Sequence, residues 1–473
     1  MERTGDDYFD SEEFKNLLED YEEAVNTGQS VLMDADDLTD IADYYHFIGE
    51  FELADEAIER ALSLNSGATS PLVYKIREAL DEESVEEAEA LLEQILDKND
   101  PEYAYMQAEV LIAQNKIEEA DRFLRDHFMA VDPDEYQDFV LDVANIYIDY
   151  GVHDKAYEWL MRSPGNNSAE FKEMMGRVMF CLGNFKDSQR IFNELLDKNP
   201  YSATYWNALA NAQFMDEDYG ESITSSEYAI AIDPTDAESL LTKANGLYRL
   251  NNYEEALKYY QRYEELMPGN DFSELQQGVC LLYLGKFKES LEHLKKAEKL
   301  TYDGSPYQMQ VYQELVFTYS ALRMLDKAMA CIDKTTEIDC DHNEMEVLRG
   351  HVLLENEKLK EAEQAFKKAI AGSDSSPRIL LRIIVSLYDN KFLDATYAMF
   401  RMFFKIVGKD YNDGYSYLAL CCWDLGKSDE FMKYLHEAVE RNPQEARIVL
   451  AGLFPEGMEP ADYVRYMTER LKS

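Results

Sequence analysis

Residues 203–236 read ATYWNALANAQFMDEDYGESITSSEYAIAIDPTD, and the same arrangement recurs on both sides at a fixed spacing. Ala210 lies in a first apolar stretch and Ser222, twelve positions later, in a second. Pro234 then closes the segment, 34 residues after Pro200 and 34 before Pro268. Trp206, Leu209 and Ala210, then Ile223, Ala229 and Ile232, keep the i, i+3, i+4 spacing of amphipathic helices. Proline cannot continue a helix interior, so Pro200, Pro234, Pro268 and Pro443 are read as ends of second helices. A fixed period built from two helices and a turn is the signature of a repeat array.

Working outward, a small residue recurs in the second helix at Ala54, Ala88, Ala120, Ala156, Ser188, Ser222, Ala256, Ser290, Ala328, Ala362 and Ala395, with Phe431 in the last unit. Twelve positions before it, in the first helix, stand Ala42, Ala108, Ala144, Gly176, Ala210, Ala244, Gly278, Gly350 and Ala419, while Ile76, Val316 and Ile383 break the rule. Small side chains at both places let two backbones approach closely. A glycine in a helix interior costs about 1 kcal/mol against alanine, so three at one repeat position point to packing that offsets the cost. Turns between the helices carry Gly or Asn, as in Leu182-Gly183-Asn184 and Leu250-Asn251-Asn252.

These residues resemble the tetratricopeptide repeat (TPR) family. Unit 203–236 supplies Trp206, Leu209, Ala210, Ser222, Ala229 and Pro234 to the family pattern, and unit 271–308 supplies Gly278, Leu281, Ser290, Leu294 and Ala297. The resemblance covers nearly the whole chain. It implies an all-α fold, a right-handed α-α superhelix over 35–443 with units starting near 35, 69, 101, 137, 169, 203, 237, 271, 309, 343, 376 and 412. Residues 1–34 are expected to form an N-terminal capping helix, started by Asp10-Ser11 and ended by Gly28, and 444–473 C-terminal capping helices.

Composition restricts the partners. The chain has 94 acidic against 46 basic residues, a net charge of −48, which disfavours nucleic acids and anionic membrane surfaces. Its 46% hydrophobic and 12% aromatic content separates it from disordered acidic chains. Residues 1–150 hold 42 acidic and 9 basic residues, which reads either as solubilising charge or as a docking surface for a basic partner. Six cysteines without a C-x-x-C pattern fall mostly in apolar helical stretches and are read as reduced core residues. The N-terminus lacks the basic-then-apolar order of a signal peptide and no apolar run approaches a membrane span, so the chain is read as cytoplasmic.

No phosphate-binding, dinucleotide, nucleophile-elbow or H-E-x-x-H motif occurs, and the closest histidines, His342 and His351, are not paired on one helical face. The expectation is a non-enzyme without cofactor or metal. In the TPR family the first helix of each pair lines a concave groove, which implies three zones. The first is acidic: Asp36, Asp40, Asp43, Glu102, Glu109, Asp138 and Asp142. The second is amide and aromatic: Asn145, Asn207, Asn211 and Asn245 with Arg177, Phe214, Tyr248 and Tyr283. Asn145, Asn211 and Asn245 share one repeat position, where carboxamides could grip a peptide backbone; equally, they could be solvated polar residues. The third, Leu380, Leu381, Ile384, Leu387 and Tyr388, is apolar and reads as a helix-binding surface or as core.

The carboxylate clamp of chaperone adaptors needs successive groove cations. Its positions here hold Glu173, Arg177, Ala208, Glu238 and Thr242, which argues against that role. The expected function is a protein-interaction scaffold that binds a basic or neutral segment in its groove. The alternative is a flexible regulatory or assembly subunit that changes curvature on binding.

Overall fold

The computed structural model describes residues 8–27, 33–302, 304–338, 341–408, 411–455 and 457–471; Gly28 and Cys340 lie outside them. The described residues form α-helices joined by turns and short 3-10 segments, with no strand among them. Contacts divide the chain into two compact units, Met1–Asp218 and Tyr219–Ser473. The boundary falls in the turn after Met215, away from the long loops at 163–168, 301–306 and 372–377.

The first unit opens with helix Glu12–Thr27, where the Ser11 hydroxyl accepts the Phe14 N–H. Five hairpins follow, Ala35–Phe47 with Phe51–Leu64, Thr69–Asp81 with Val85–Leu92, Pro101–Ala113 with Ile117–Phe128, Tyr136–Asp149 with His153–Leu160, and Ala169–Cys181 with Phe185–Leu196. Helix Ala203–Met215 completes it. The second unit begins with helix Tyr219–Ile232 and continues with six hairpins, from Ala237–Arg249 with Tyr253–Leu266 to Tyr415–Asp424 with Ser428–Arg441. Helices Pro443–Val449 and Pro460–Arg470 close it. There Phe454 stacks on Tyr463, and Ala446, Leu450 and Met467 are buried against the last hairpin.

The small residues sit where the two helices of a hairpin cross. Ala42 and Ala54, Ala108 and Ala120, Ala144 and Ala156 and Ala244 and Ala256 are all fully buried. The Ser290 hydroxyl donates to the Gly278 carbonyl at 2.7 Å, a direct measure of the approach. A Cβ at Gly278 would lie 2.6 Å from Leu294, at Gly176 2.9 Å from Phe192, and at Gly350 2.2 Å from Phe366. The three partners hold the same place, four residues after the small residue of the second helix. At these three positions a methyl would collide with the large side chain it faces.

Seven first helices start with a side-chain cap: Asp34, Asp100, Ser168, Ser202, Asp236, Asn270 and Asp341 each accept a backbone N–H of the first turn. They end on a left-handed residue at one fixed repeat position: Gly49, Glu83, Asn115, Gly151, Gly183, Glu217, Asn251, Gly285, Arg323, Glu357, Lys391 and Gly426. At Gly183 the N–H binds the Phe180 carbonyl, and the Asn184 N–H reaches back to Met179 at 2.9 Å, closing a Schellman turn. Non-glycine residues adopt the same conformation, so the turn is imposed by the hairpin rather than by residue choice.

Three expectations are corrected. The unit expected near 376 starts at Pro377, the first residue of its helix, after a loop one residue longer. Its buried small-residue position is therefore Thr396, fully buried, while Ala395 is exposed; the opposing residue is Ile384, packed in one cluster with Phe400, and not Ile383. Pro443 opens a helix, the preceding one having ended at Arg441. Cys181 is exposed rather than core; Cys280, Cys331, Cys421 and Cys422 are buried, and burial pushes their thiols up to about 11 or 12.

Replacing Gly350 by Ala drives a methyl into the Phe366 ring and should destabilise the second unit by about 1–3 kcal/mol in thermal or urea unfolding. Adding Phe366→Leu should recover part of the loss. A double variant no more stable than the single would refute the crossing as the source of the strain.

Candidate protein-binding face

Within each unit, first helices of neighbouring hairpins pack side by side, for example Ala35–Phe47 on Thr69–Asp81 and His342–Glu355 on Pro377–Asp389. Among the described residues no comparable packing joins their second helices. First helices set closer together than second helices make the first-helix side the concave side of each unit. Polar bonds between neighbours run along it at about one repeat of separation. Ser70 donates to Asp36 at 2.6 Å, Tyr8 to Asp40 at 2.6 Å, Tyr105 to Asp142 at 2.8 Å and Tyr150 to Glu109 at 3.4 Å. Four of the seven acidic candidates thus accept a hydroxyl from an adjacent helix. Glu102 pairs with Arg77 at 3.5 Å, and Asp138 is exposed.

One repeat position, the ninth, carries Asp43, Arg77, Glu109, Asn145, Arg177 and Asn211 in successive hairpins of the first unit. Arg77, missed in the sequence reading, stands between two acids and its charge reaches both. It does not neutralise the loss of hydration they suffer. Burial raises Asp43 to about 6, with Asp40 adding to the rise and Arg77 and His46 opposing it. Burial raises Glu109 to about 7 against the pull of Arg77 and the Tyr150 hydroxyl. Asp43 is exposed, so water screens its charge more than that of Glu109.

The amide candidates are not arranged alike. Asn145 donates to Asp149 on its own helix at 2.9 Å. Asn245 accepts the hydroxyl of the fully buried Tyr260 at 2.7 Å, which ties it to the second helix of its hairpin. Asn207 is buried, only 7% exposed, and does not line an open face. Arg177 is exposed, and Asn211 and Phe214 are half-buried. Of the apolar zone, Ile384 and Tyr388 are buried, Tyr388 donating to Asp424 at 2.6 Å, while Leu380 and Leu381 pack against the terminal core cluster.

In the second unit Tyr248 and Tyr283 come together with two residues that the sequence reading did not single out. Tyr253 stacks on Tyr283 at 4.6 Å with an interplanar angle of 7°. Tyr248 stands across both rings at 65°. Glu314, one hairpin further on, is half-buried, and burial raises it to about 7. Its repeat position, the sixth, was the only signal available for it.

Known families and structures resemble parts of the chain. Two tetratricopeptide-repeat family models match the chain, one over residues 74–125 and 174–237, the other over 38–67 and 415–445. The chain belongs to the tetratricopeptide-repeat superfamily. The model for the anaphase-promoting complex, cyclosome, subunit 3 matches residues 215–297 of this TPR chain. Similar solved structures include a tetratricopeptide repeat protein from Parabacteroides merdae, at 18% identity over 54% of this chain and 99% of that one, with a TM-score of 0.41. MamA from Desulfovibrio magneticus is 16% identical over 37% of this chain and 96% of its own, with a TM-score of 0.35. The APC/C hetero-tetramer Cut9–Hcn1 is 14% identical over 95% and 94%, with a TM-score of 0.36. No curated protein sequence matches the chain. Proteins of this superfamily are protein-interaction scaffolds in general, and the fold is typically non-catalytic. Among the described residues no group of three or more His, Cys, Asp or Glu is placed to hold a metal ion, and no helix is long and apolar enough to cross a membrane.

Glu109 and Glu314 allow a test of the concave-face electrostatics. Their folded values, near 7, lie above the ordinary 4.5, so their contribution to stability is full below pH 4.5 and is lost as pH rises through 7. Glu109 is faced by Arg77, Tyr150, Glu102 and Asp149, and Glu314 by Tyr248 and Tyr283. Glu109→Gln and Glu314→Gln should each stabilise the fold at pH 8.5 by about 1–2 kcal/mol and much less at pH 5.5. Equal effects at both pH values, measured by thermal unfolding, would show that neither carboxylate is desolvated.

Proposed function

We propose that this TPR chain is a non-catalytic scaffold that holds a basic or neutral protein segment along the concave side of its first-helix stack. The reading rests on one observation. Seven acids, Asp36, Asp40, Asp43, Glu102, Glu109, Asp138 and Asp142, stand on first helices of the first unit, with Arg77 between Asp43 and Glu109 at one repeat position, and burial still raises Glu109 against the pull of Arg77. Carboxylates in such a setting gain from any cation that approaches, because the approaching charge replaces lost hydration. The uneven charge supports it too: residues 1–150 have 42 acidic and 9 basic side chains. The hydroxyl bonds to Asp36, Asp40, Asp142 and Glu109 hold these oxygens in fixed places, so the face is pre-ordered for a partner. Repulsion of nucleic acids and anionic membranes follows from the same charge reading. The match of residues 215–297 to a subunit of a multiprotein complex is in keeping with work inside an assembly.

Fluorescence anisotropy with labelled basic, neutral and acidic peptides of equal length tests the charge preference. The basic peptide should bind best, and its affinity should fall about tenfold between roughly 50 and 300 mM salt. Asp43→Asn with Glu109→Gln should reduce that salt dependence. Equal binding of the acidic peptide, or affinity indifferent to salt, would overturn the reading.

A further inference from the structure

The tyrosine cluster of the second unit carries a more specific assignment, which rests on the scaffold reading and narrows its partner. We infer that Tyr248, Tyr253, Tyr283 and Glu314 form a recognition site for an arginine side chain of a bound protein. Tyr283 is 60% exposed, yet one face of its ring is covered by Tyr253 at 4.6 Å and nearly parallel. The stacked partner holds the ring still, and Tyr253 is itself anchored by its hydroxyl on Asn251 at 2.7 Å. Tyr248 braces the pair edge-on at 5.6 and 6.3 Å. What remains is one flat, immobilised aromatic face rather than a box of rings.

That shape selects among cations. A quaternary or methylated ammonium is best enclosed by rings on several sides, which a stacked pair cannot provide. A guanidinium is planar, weakly hydrated and stacks on a single ring face. Glu314 supplies the complementary charge. It stands on helix Gln308–Ala321, which packs beside Asp271–Tyr283, and Tyr248 packs against the cluster that holds Val311 and Leu315 of that same helix. Its carboxylate charge acts on both Tyr248 and Tyr283. Elsewhere in the second unit, comparable buried acids have partners: Glu274 binds His293 and Lys296, and Glu344 binds Arg378 and Arg382. Glu314 forms no such ion pair among the described residues, and its helix packs beside the one that carries Tyr283.

Saturation-transfer NMR on the full chain with acetyl-Gly-Arg-Gly-amide, and with its lysine and glutamine counterparts, tests the assignment. The arginine side-chain methylenes should receive the strongest transfer, with the lysine probe about threefold weaker and the glutamine probe silent. Tyr283→Ala and Glu314→Gln should each weaken the arginine probe about fivefold or more, and Tyr283→Phe should retain it. Equal binding of lysine and arginine, or no loss in either variant, would mean only that a general acidic surface attracts cations, and the site would be wrong. Far-ultraviolet circular dichroism of each variant keeps unfolding from passing as loss of the site. If the arginine probe fails while basic peptides still bind with salt dependence, this inference falls and the scaffold reading stands. If the probe binds and no peptide does, the scaffold reading falls alone.

Discussion

In most hairpins two backbones are pulled together until one residue has no room for a side chain beyond a methyl; the hairpin in which Ile384 faces Thr396 is the exception. The Ser290 hydroxyl reaching the Gly278 carbonyl, and the ring of Phe366 filling the space where Gly350 lacks a Cβ, show how tight that crossing is. Everything else in the fold follows from it. The crossing fixes the angle of the hairpin. The angle brings successive first helices together and parts the second helices, and so makes one side concave. It also forces the chain through a left-handed residue at the same step of each hairpin, whether that residue is Gly183 or Lys391.

The concave side then changes the chemistry of what stands on it. A carboxylate on a flat or convex helix face is hydrated and keeps its ordinary titration. On the concave side, neighbouring helices displace that water, and Glu109 and Glu314 are both raised to about 7. Two remedies are visible. Hydroxyls from the next helix serve Asp36, Asp40 and Asp142, and Arg77 partly serves Asp43 and Glu109. Glu314 has neither, and the charged form acts on two tyrosines, Tyr248 and Tyr283.

The repeat architecture was legible in the residues because its cause is local in sequence: small side chains twelve apart recur wherever two helices cross. The reading slipped by one residue at Pro377, where a lengthened loop left Ala395 and Thr396 both plausible and only burial separates them. The candidate face was half legible. Helix position predicted which residues lie on first helices, but not which of their polar atoms are already engaged. Asn245 serves Tyr260 and Asn207 is buried, and neither fact follows from spacing. Tyr248 and Tyr283 stood out as aromatic, whereas Tyr253 belongs to a second helix and Glu314 to the following hairpin. Their convergence depends on how hairpins stack.

The acid excess also takes on two meanings. Most of the 94 acidic residues are solvated and keep the chain apart from other polyanions. That majority says little about partner choice, since it would attract any cation equally. The few carboxylates deprived of water behave otherwise. Each weakens the fold when it ionises, and a correctly placed cation removes that penalty, so the gain on binding is largest where hydration is poorest. An arginine laid on Tyr283 and directed at Glu314 recovers this energy only if its planar head fits the one open ring face. Charge on the surface at large draws a basic partner in; the dehydrated carboxylate beside the stacked rings decides which side chain stays.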